Sequence, residues 1–245
     1  MTAREALPRA EASPLLVGFD ADDTLWQNEQ FYRLTEEAFA ALLTDHCDAA
    51  HLSARLLAAE RRNLALYGFG IKGFTLSMIE TALELTDGTL PGHVVGRILE
   101  IGREMLRHPV DLLPAARDTL EAVAGRYRLV LITKGDLFDQ ERKLAASSLG
   151  PFFDGIEIVS DKTDATYRGI FARHGVDARR CVMIGNSLKS DILPVLACGG
   201  SAIFIPHDLT WVHEHAEAPV DEPRFFQVAD LSAVPDILAA IDRNG

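Results

Sequence analysis

Short apolar runs that alternate with helical periodicity constrain this chain more than any other feature. Residues 15–19, 128–133, 156–160, 181–185 and 201–206 are each brief, apolar and bounded by turn residues, which predicts buried strands. Helical patterns fill the gaps between the later runs. Pro114 can open one that sets Ala116, Leu120 and Val123 on one face before Gly125. Another covers about 137–149 and stops at Gly150-Pro151, and a third ends near His174-Gly175. A fourth starts near Leu188, is broken or kinked at Pro194 and closes at Gly199-Gly200. Nearly continuous apolar strands alternating with helices predict an α/β fold whose parallel sheet is covered on both faces.

Residues 27–109 interrupt that alternation. They hold no buried strand pattern but about four helical ones, over 31–47, 51–67, 74–86 and 91–107. Phe74, Met78, Ala82 and Leu85 follow the steps of one apolar helix face. An all-helical insertion after the first strand of a parallel sheet lies above the carboxyl ends of the strands, where a lid would be. The expected division is therefore a tail over 1–13, a core from 14–26 and 110–245, and a helical cap over 27–109.

The bulk numbers bound the function. A chain of 245 residues supports one sizeable core or a core with a smaller domain. Its formal charge of −12 argues against nucleic acid, which needs a basic face to displace counterions, and against an anionic membrane surface. A phosphorylated small molecule stays compatible, because a local cation outweighs the long-range field. Cys47, Cys181 and Cys198 form no disulfide pattern, and a cytoplasmic location is expected. The segment 1–13 lacks the apolar stretch of a secretory signal.

The first run flows directly into Asp20-Ala21-Asp22-Asp23-Thr24-Leu25. Alternate residues of an extended segment share a face, so Asp20 and Asp22 can address one site. One can serve as nucleophile or metal ligand and the other as acid–base, or the acidic residues merely open a loop. The other strand ends are polar as well. Thr133-Lys134-Gly135-Asp136 follows the second, Lys162 lies just past the third, and Gly185-Asn186-Ser187-Leu188-Lys189-Ser190-Asp191 follows the fourth. Each alone reads as a turn or helix cap. Together they predict an anion and a hard cation held by oxygens beside Asp20.

Other motifs carry less. Gly68-Phe69-Gly70-Ile71-Lys72-Gly73 spells the dinucleotide fingerprint, but the segment before it reads as helix where the fingerprint needs a strand. A glycine-rich turn between two insertion helices is expected there. His46, Cys47 and His51 match no zinc spacing, and His213-Glu214-His215 is expected on the solvated surface. Trp211 can border a pocket or pack in a core.

Taken in order, these strand-end residues resemble the four signature motifs of the haloacid dehalogenase superfamily of hydrolases. Asp20-Ala21-Asp22-Asp23-Thr24 is similar to the nucleophile and acid–base motif, Thr133 to the phosphate-binding hydroxyl, Lys162 to the basic third motif, and the stretch from Gly185 to Asp191 to the acidic metal motif. The resemblance runs from Leu15 to about Pro206. It implies a Rossmann-like core with an inserted helical cap. The second aspartate, absent from members that act on carbon–halogen bonds, points within that family to phosphatases. The metal motif departs from the family by carrying Asn186 where an aspartate is usual.

The resemblance implies a Mg²⁺-dependent hydrolase of a small phosphorylated metabolite. Asp20 would form an aspartyl-phosphate, Asp22 would act as acid and base, and Thr133, Lys134, Gly135 and Lys162 would bind phosphate. Asp20, the Asp22 carbonyl, and Asn186 or Asp191 would hold the metal. Arg61, Arg62, Tyr67, Lys72 and Phe74, around the glycine turn, are candidates for substrate specificity or for an exposed basic helix face. Phosphonate hydrolysis through a Schiff base on Lys72, carbon–halogen hydrolysis, and a non-catalytic phosphoacceptor module are the alternatives.

Overall fold

A computed structural model describes residues 15–209, 211 and 214–244. The expected tail over 1–13 lies outside them. Among the described residues six strands form one sheet: β1 (Leu16–Phe19), β2 (Arg128–Lys134), β3 (Gly155–Val159), β4 (Cys181–Gly185), β5 (Ser201–Phe204) and β6 (Phe225–Gln227). Their order is β3-β2-β1-β4-β5-β6, and every pairing is parallel. The chain winds outward from β1 through β2 to β3, then returns to β4 on the other side of β1. That reversal opens a crevice at the carboxyl ends of β1 and β4, where sheets of this kind hold their ligands.

The strand period of two divides the apolar side chains between two layers. Val17, Phe19, Leu129, Leu131, Val182 and Ile184 pack on one face with Leu120 and Val123 of α5 (Ala116–Val123) and Leu238 of α9 (Val234–Asn244). Leu16, Val130, Ile132, Cys181 and Met183 pack on the other with Tyr167, Ile170 and Phe171 of α7 (Asp164–His174) and Val195 of α8 (Leu193–Cys198). Each such side chain contributes about 1.5–3 kcal/mol by leaving water. Gly18 keeps the second layer close. A Cβ there would meet Ile132 Cδ1 at 2.8 Å and Met183 Sδ at 2.9 Å.

Between β1 and β2 stand α1 (Glu29–Leu42), α2 (Ala49–Tyr67), α3 (Ile71–Leu85) and α4 (Gly92–Leu106). They enclose an apolar cluster of their own, with Phe39, Leu52, Leu56, Phe74, Met78, Ala82, Ile98 and Ile101 buried in it. No helix among the described residues is long and apolar enough to cross a membrane.

Several boundaries differ from the sequence expectation for local reasons. The helix expected to start at Pro114 starts at Ala116, because Ala115 takes a left-handed conformation with φ 61°. The one expected to reach Leu149, α6 (Leu137–Ser147), stops where Ser148 turns left-handed. The helix after β4 is split, as one π-helical turn over Leu188–Ile192 gives way to α8, with Pro194 in its first turn. β6 and α9 were not expected at all.

Candidate active site

Asp20 follows the last residue of β1, and its backbone N–H still bonds to the Ile184 carbonyl of β4 at 2.9 Å. Its buried carboxylate accepts from Lys162 Nζ through Oδ1 and from Thr24 Oγ1 through Oδ2 at 3.2 Å. Lys162 also donates to Asp191 Oδ1 at 2.7 Å, so one buried ammonium joins two buried carboxylates. Burial and the Asp191 charge push the Asp20 carboxyl up to about 7 against the pull of Lys162. Burial works against the Lys162 charge, but Asp191 and Asp20 outweigh it and hold that ammonium above its ordinary value.

Asp22 occupies a different environment. Its carboxylate accepts from Trp26 Nε1 at 2.7 Å, from Gln140 Nε2 at 2.8 Å, and from Lys143 Nζ at 2.8 and 3.0 Å. Burial opposes its charge. Lys143 and these hydrogen bonds win and hold the carboxyl below its ordinary value. Two carboxylates two residues apart are thus pushed in opposite directions by their surroundings. The neighbouring Asp23 is structural. Left-handed at φ 58°, it accepts from the N–H groups of Asn28 at 2.8 Å and Glu29 at 3.0 Å, and so starts α1.

Thr133, near the end of β2, is 1% exposed, and its Oγ1 has no hydrogen-bond partner among the described residues. A buried hydroxyl left unpaired costs about 1–3 kcal/mol, and a bound anion would relieve it. Asp191 is brought close by Gly185, since a Cβ at that position would fall on the Asp191 carboxylate. The Ser187 N–H then donates to Asp191 Oδ2 at 2.9 Å. The π-helical turn between them is a form that recurs at functional sites.

Asn186 faces oxygen. One of its two carboxamide atoms lies 3.2 Å from both the Asp22 backbone carbonyl and Asp20 Oδ2. If that atom is the amide nitrogen, it donates to both. If it is the oxygen, it accepts from Thr24 Oγ1 at 3.1 Å and stands beside two further acceptors, a set that a cation would bring together. An all-oxygen set suits a hard cation such as Mg²⁺. Asp191 is already engaged by Lys162 and the Ser187 N–H, so Asn186 is the better placed of the two candidates for direct ligation.

Lys134 and Gly135 are less available than their sequence position suggests. Lys134 Nζ is paired with Glu214, donates to Ser190 Oγ at 2.8 Å and lies 4.3 Å from the centre of the Phe69 ring. The Gly135 N–H is bonded to the Val159 carbonyl at 3.3 Å. Glu214 corrects the expectation of a solvated surface. It is largely buried and receives the hydroxyls of Ser187 and Ser190 along with Lys134. His213 lies outside the described residues.

These groups line one cavity of about 1160 Å³, counted out to its open mouth. The core supplies Asp20, Asp22, Thr133, Lys143, Lys162, Asn186 and Asp191, and the helical insertion supplies Glu29, Tyr32, Glu36, Glu60, Asn63 and Phe74. Of the specificity candidates, Phe74 lines it. Arg62 pairs instead with Glu84 at 2.6 Å, Arg61 and Tyr67 are exposed, and Lys72 pairs with Asp136 at 2.9 Å. The glycine turn joins α2 to α3, with Gly68 at φ 71° and Gly70 at φ 115°, and Phe69 packs edge-on against Trp211 of the loop after β5. His46 and His51 are exposed and Cys47 packs against the insertion core.

Sequence reasoning missed Gln140, Lys143, Trp26 and Glu214. Gln140 and Lys143 stand three residues apart on α6 and so share a face, a signal readable only once that face is known to meet Asp22.

The fold and site define a hydrolase: a parallel sheet with a nucleophile-capable carboxylate at its switch point, under a helical insertion. The family model for haloacid dehalogenase-like hydrolases matches residues 15–199, and the chain belongs to that family. It is 43% identical to a haloacid dehalogenase-like family hydrolase from Xanthomonas campestris, with a TM-score of 0.84 over 96% of this chain and 98% of that one. It is 27% identical over 206 residues to the glyceraldehyde 3-phosphate phosphatase of Methanothermobacter thermautotrophicus, covering 79% of this chain and 86% of that protein. An N-acylneuraminate-9-phosphatase of Mus musculus is 27% identical over 144 residues, 56% of this chain and 55% of that one.

Proposed function

We propose that this enzyme is a Mg²⁺-dependent phosphatase that hydrolyses a small phosphorylated metabolite through an aspartyl-phosphate on Asp20. The observation that carries the reading is the setting of Asp20, a buried carboxylate between a buried ammonium and a cleft of oxygens, at the end of the central strand. The phosphatase names of the relatives support it. Residues 27–109 act as the cap domain in this reading.

Asp20 attacks phosphorus, forming the oxygen–phosphorus bond as the bond to the leaving alcohol breaks. For the leaving alcohol to depart, Asp22 must first take up a proton against the pull of Lys143, and it then gives that proton to the alcohol. In the second half, water attacks phosphorus, Asp22 takes a proton from it, and the bond to Asp20 breaks. Lys143, Gln140 and Trp26 fix the Asp22 carboxylate and favour its ionised form, the one the second half needs. Thr133 Oγ1 and Lys162 Nζ hold the transferring phosphoryl oxygens, and Lys162 also orients Asp20.

Mg²⁺ would be held by Asp20, the Asp22 carbonyl and Asn186, where it would screen the repulsion between the Asp20 carboxylate and the phosphate dianion. Lys72 counts against the phosphonatase alternative, since its side chain is exposed and paired with Asp136. The unpaired cysteines Cys47, Cys181 and Cys198 support a cytoplasmic setting. The test is phosphate release from a panel of phosphorylated metabolites, with and without Mg²⁺, using Asp20→Asn as the blank. Asp20- and Mg²⁺-dependent release is expected. Equal rates in wild type and Asp20→Asn would remove the reading.

A further inference from the structure

The two ends of the cavity differ in charge. At the core end the lining lysines are each committed: Lys162 to Asp20 and Asp191, Lys143 to Asp22, and Lys134 to Glu214. At the insertion end the lining carboxylates are Glu29 and Glu36 of α1 and Glu60 of α2, and no lysine, arginine or histidine of the insertion lines the cavity among the described residues. Arg33, from an exposed position, lies 4.0 Å from Glu29 and also faces Glu36, which accepts a hydrogen bond from Ser53. Tyr32, one turn beyond Glu29, has Asp22, Asp139, Glu60 and Glu29 around it, so acidic groups continue from the reaction centre to the far wall.

Burial opposes the charge of those carboxylates. Burial and the Asp23 charge push Glu29 up to about 8, while burial and the Glu36 charge push Glu60 up to about 7. A second observation asks for a hydrogen-bond donor in the same cavity. Gln140 lines it and is buried, and its Oε1 has no partner among the described residues. Its amide is fixed the other way round by donation to Asp22 and to the Lys134 carbonyl. An amide oxygen only accepts, so what satisfies it must carry N–H or O–H groups.

We propose that the substrate is a phosphate monoester of an amino-bearing alcohol, with its phosphate at Asp20 and its ammonium group received by Glu29, Glu36 and Glu60. This deepens the phosphatase reading and rests on it. A neutral leaving group forgoes the ion pair. A second anion there meets the three carboxylates that line that end of the cavity.

The experiment measures kcat/KM for ω-aminoalkyl phosphates of two, four and six carbons against alkyl and ω-carboxyalkyl phosphates of the same lengths. p-Nitrophenyl phosphate serves as the neutral reporter. The amino compound is expected to exceed its neutral partner about tenfold or more at one length at least, the scale of a charge-assisted hydrogen bond. The carboxylate compound is expected to be the poorest. In Glu60→Gln and in Glu36→Gln the amino-to-neutral ratio falls toward one, and because each ratio is internal to its variant, loss of folded protein does not disturb it. Asp20-dependent turnover of p-nitrophenyl phosphate with no amino preference at any length overturns this inference and leaves the phosphatase reading standing. No release from any compound removes both.

Discussion

Lys143 Nζ bridges both carboxylate oxygens of Asp22, at 2.8 and 3.0 Å, across 121 residues of sequence. The pair is largely out of water, so its loss should be felt in stability as well as in rate. Lys143→Met leaves the Asp22 carboxylate short of its cation and should destabilise the fold by about 2 kcal/mol in urea titrations. Adding Asp22→Asn should recover part of that, the non-additivity marking the pair. Because Asp22 is held below its ordinary value, its stabilising contribution is present above 3.8 and lost as pH falls through the depressed value. The stability difference between wild type and Lys143→Met should therefore shrink as pH falls through that range.

Thr133 separates activity from stability. Its hydroxyl is buried and unpartnered, so Thr133→Val removes an unsatisfied group and should leave the urea midpoint unchanged or raised. Turnover should fall on the order of 100-fold, the usual loss for one preorganised transition-state donor. A variant equally active would take Thr133 out of the phosphate clamp.

Asn186 offers a test of the cation site. Asn186→Asp adds a charge to the oxygen set around Asp20 Oδ2 and the Asp22 carbonyl and should tighten Mn²⁺ binding by about tenfold, read by electron paramagnetic resonance. Asn186→Leu should weaken it by a similar factor. Unaltered binding in both would place the cation elsewhere.

Glu29 makes stability depend on pH in the direction opposite to Asp22. Its folded carboxyl is pushed up to about 8, against an ordinary 4.5, first by burial and then by the Asp23 charge. The folded state therefore keeps a proton that the unfolded chain has released. The contribution is full below 4.5 and is lost as pH rises through about 8. Glu29→Gln should flatten the decline in stability across that window, measured by denaturant titration at several pH values.

Much of this was legible in the chain because single positions carried it. The strands at 181–185 and 128–133 stood out through unbroken apolar character, and the strand ends named Asp20, Thr133, Lys162 and Asn186. β6 escaped because Phe225–Gln227 is three residues long and only half-buried. Lys143 and Glu214 escaped for another reason. Their partners are distant in sequence, so nothing local distinguishes them from surface charges. Arg62 shows the reverse failure, since proximity to the glycine turn said nothing of the Glu84 carboxylate that draws it away from the cavity. Tertiary pairing decides both cases.

The stereochemical course at phosphorus tests the central claim most directly. A phosphate monoester made chiral with oxygen isotopes and sulfur would be hydrolysed and the configuration of the product determined. Transfer to Asp20 followed by attack of water is two displacements, each inverting, so the account predicts net retention. Net inversion would mean that water attacks the ester in one step, and Asp20 would not be the nucleophile.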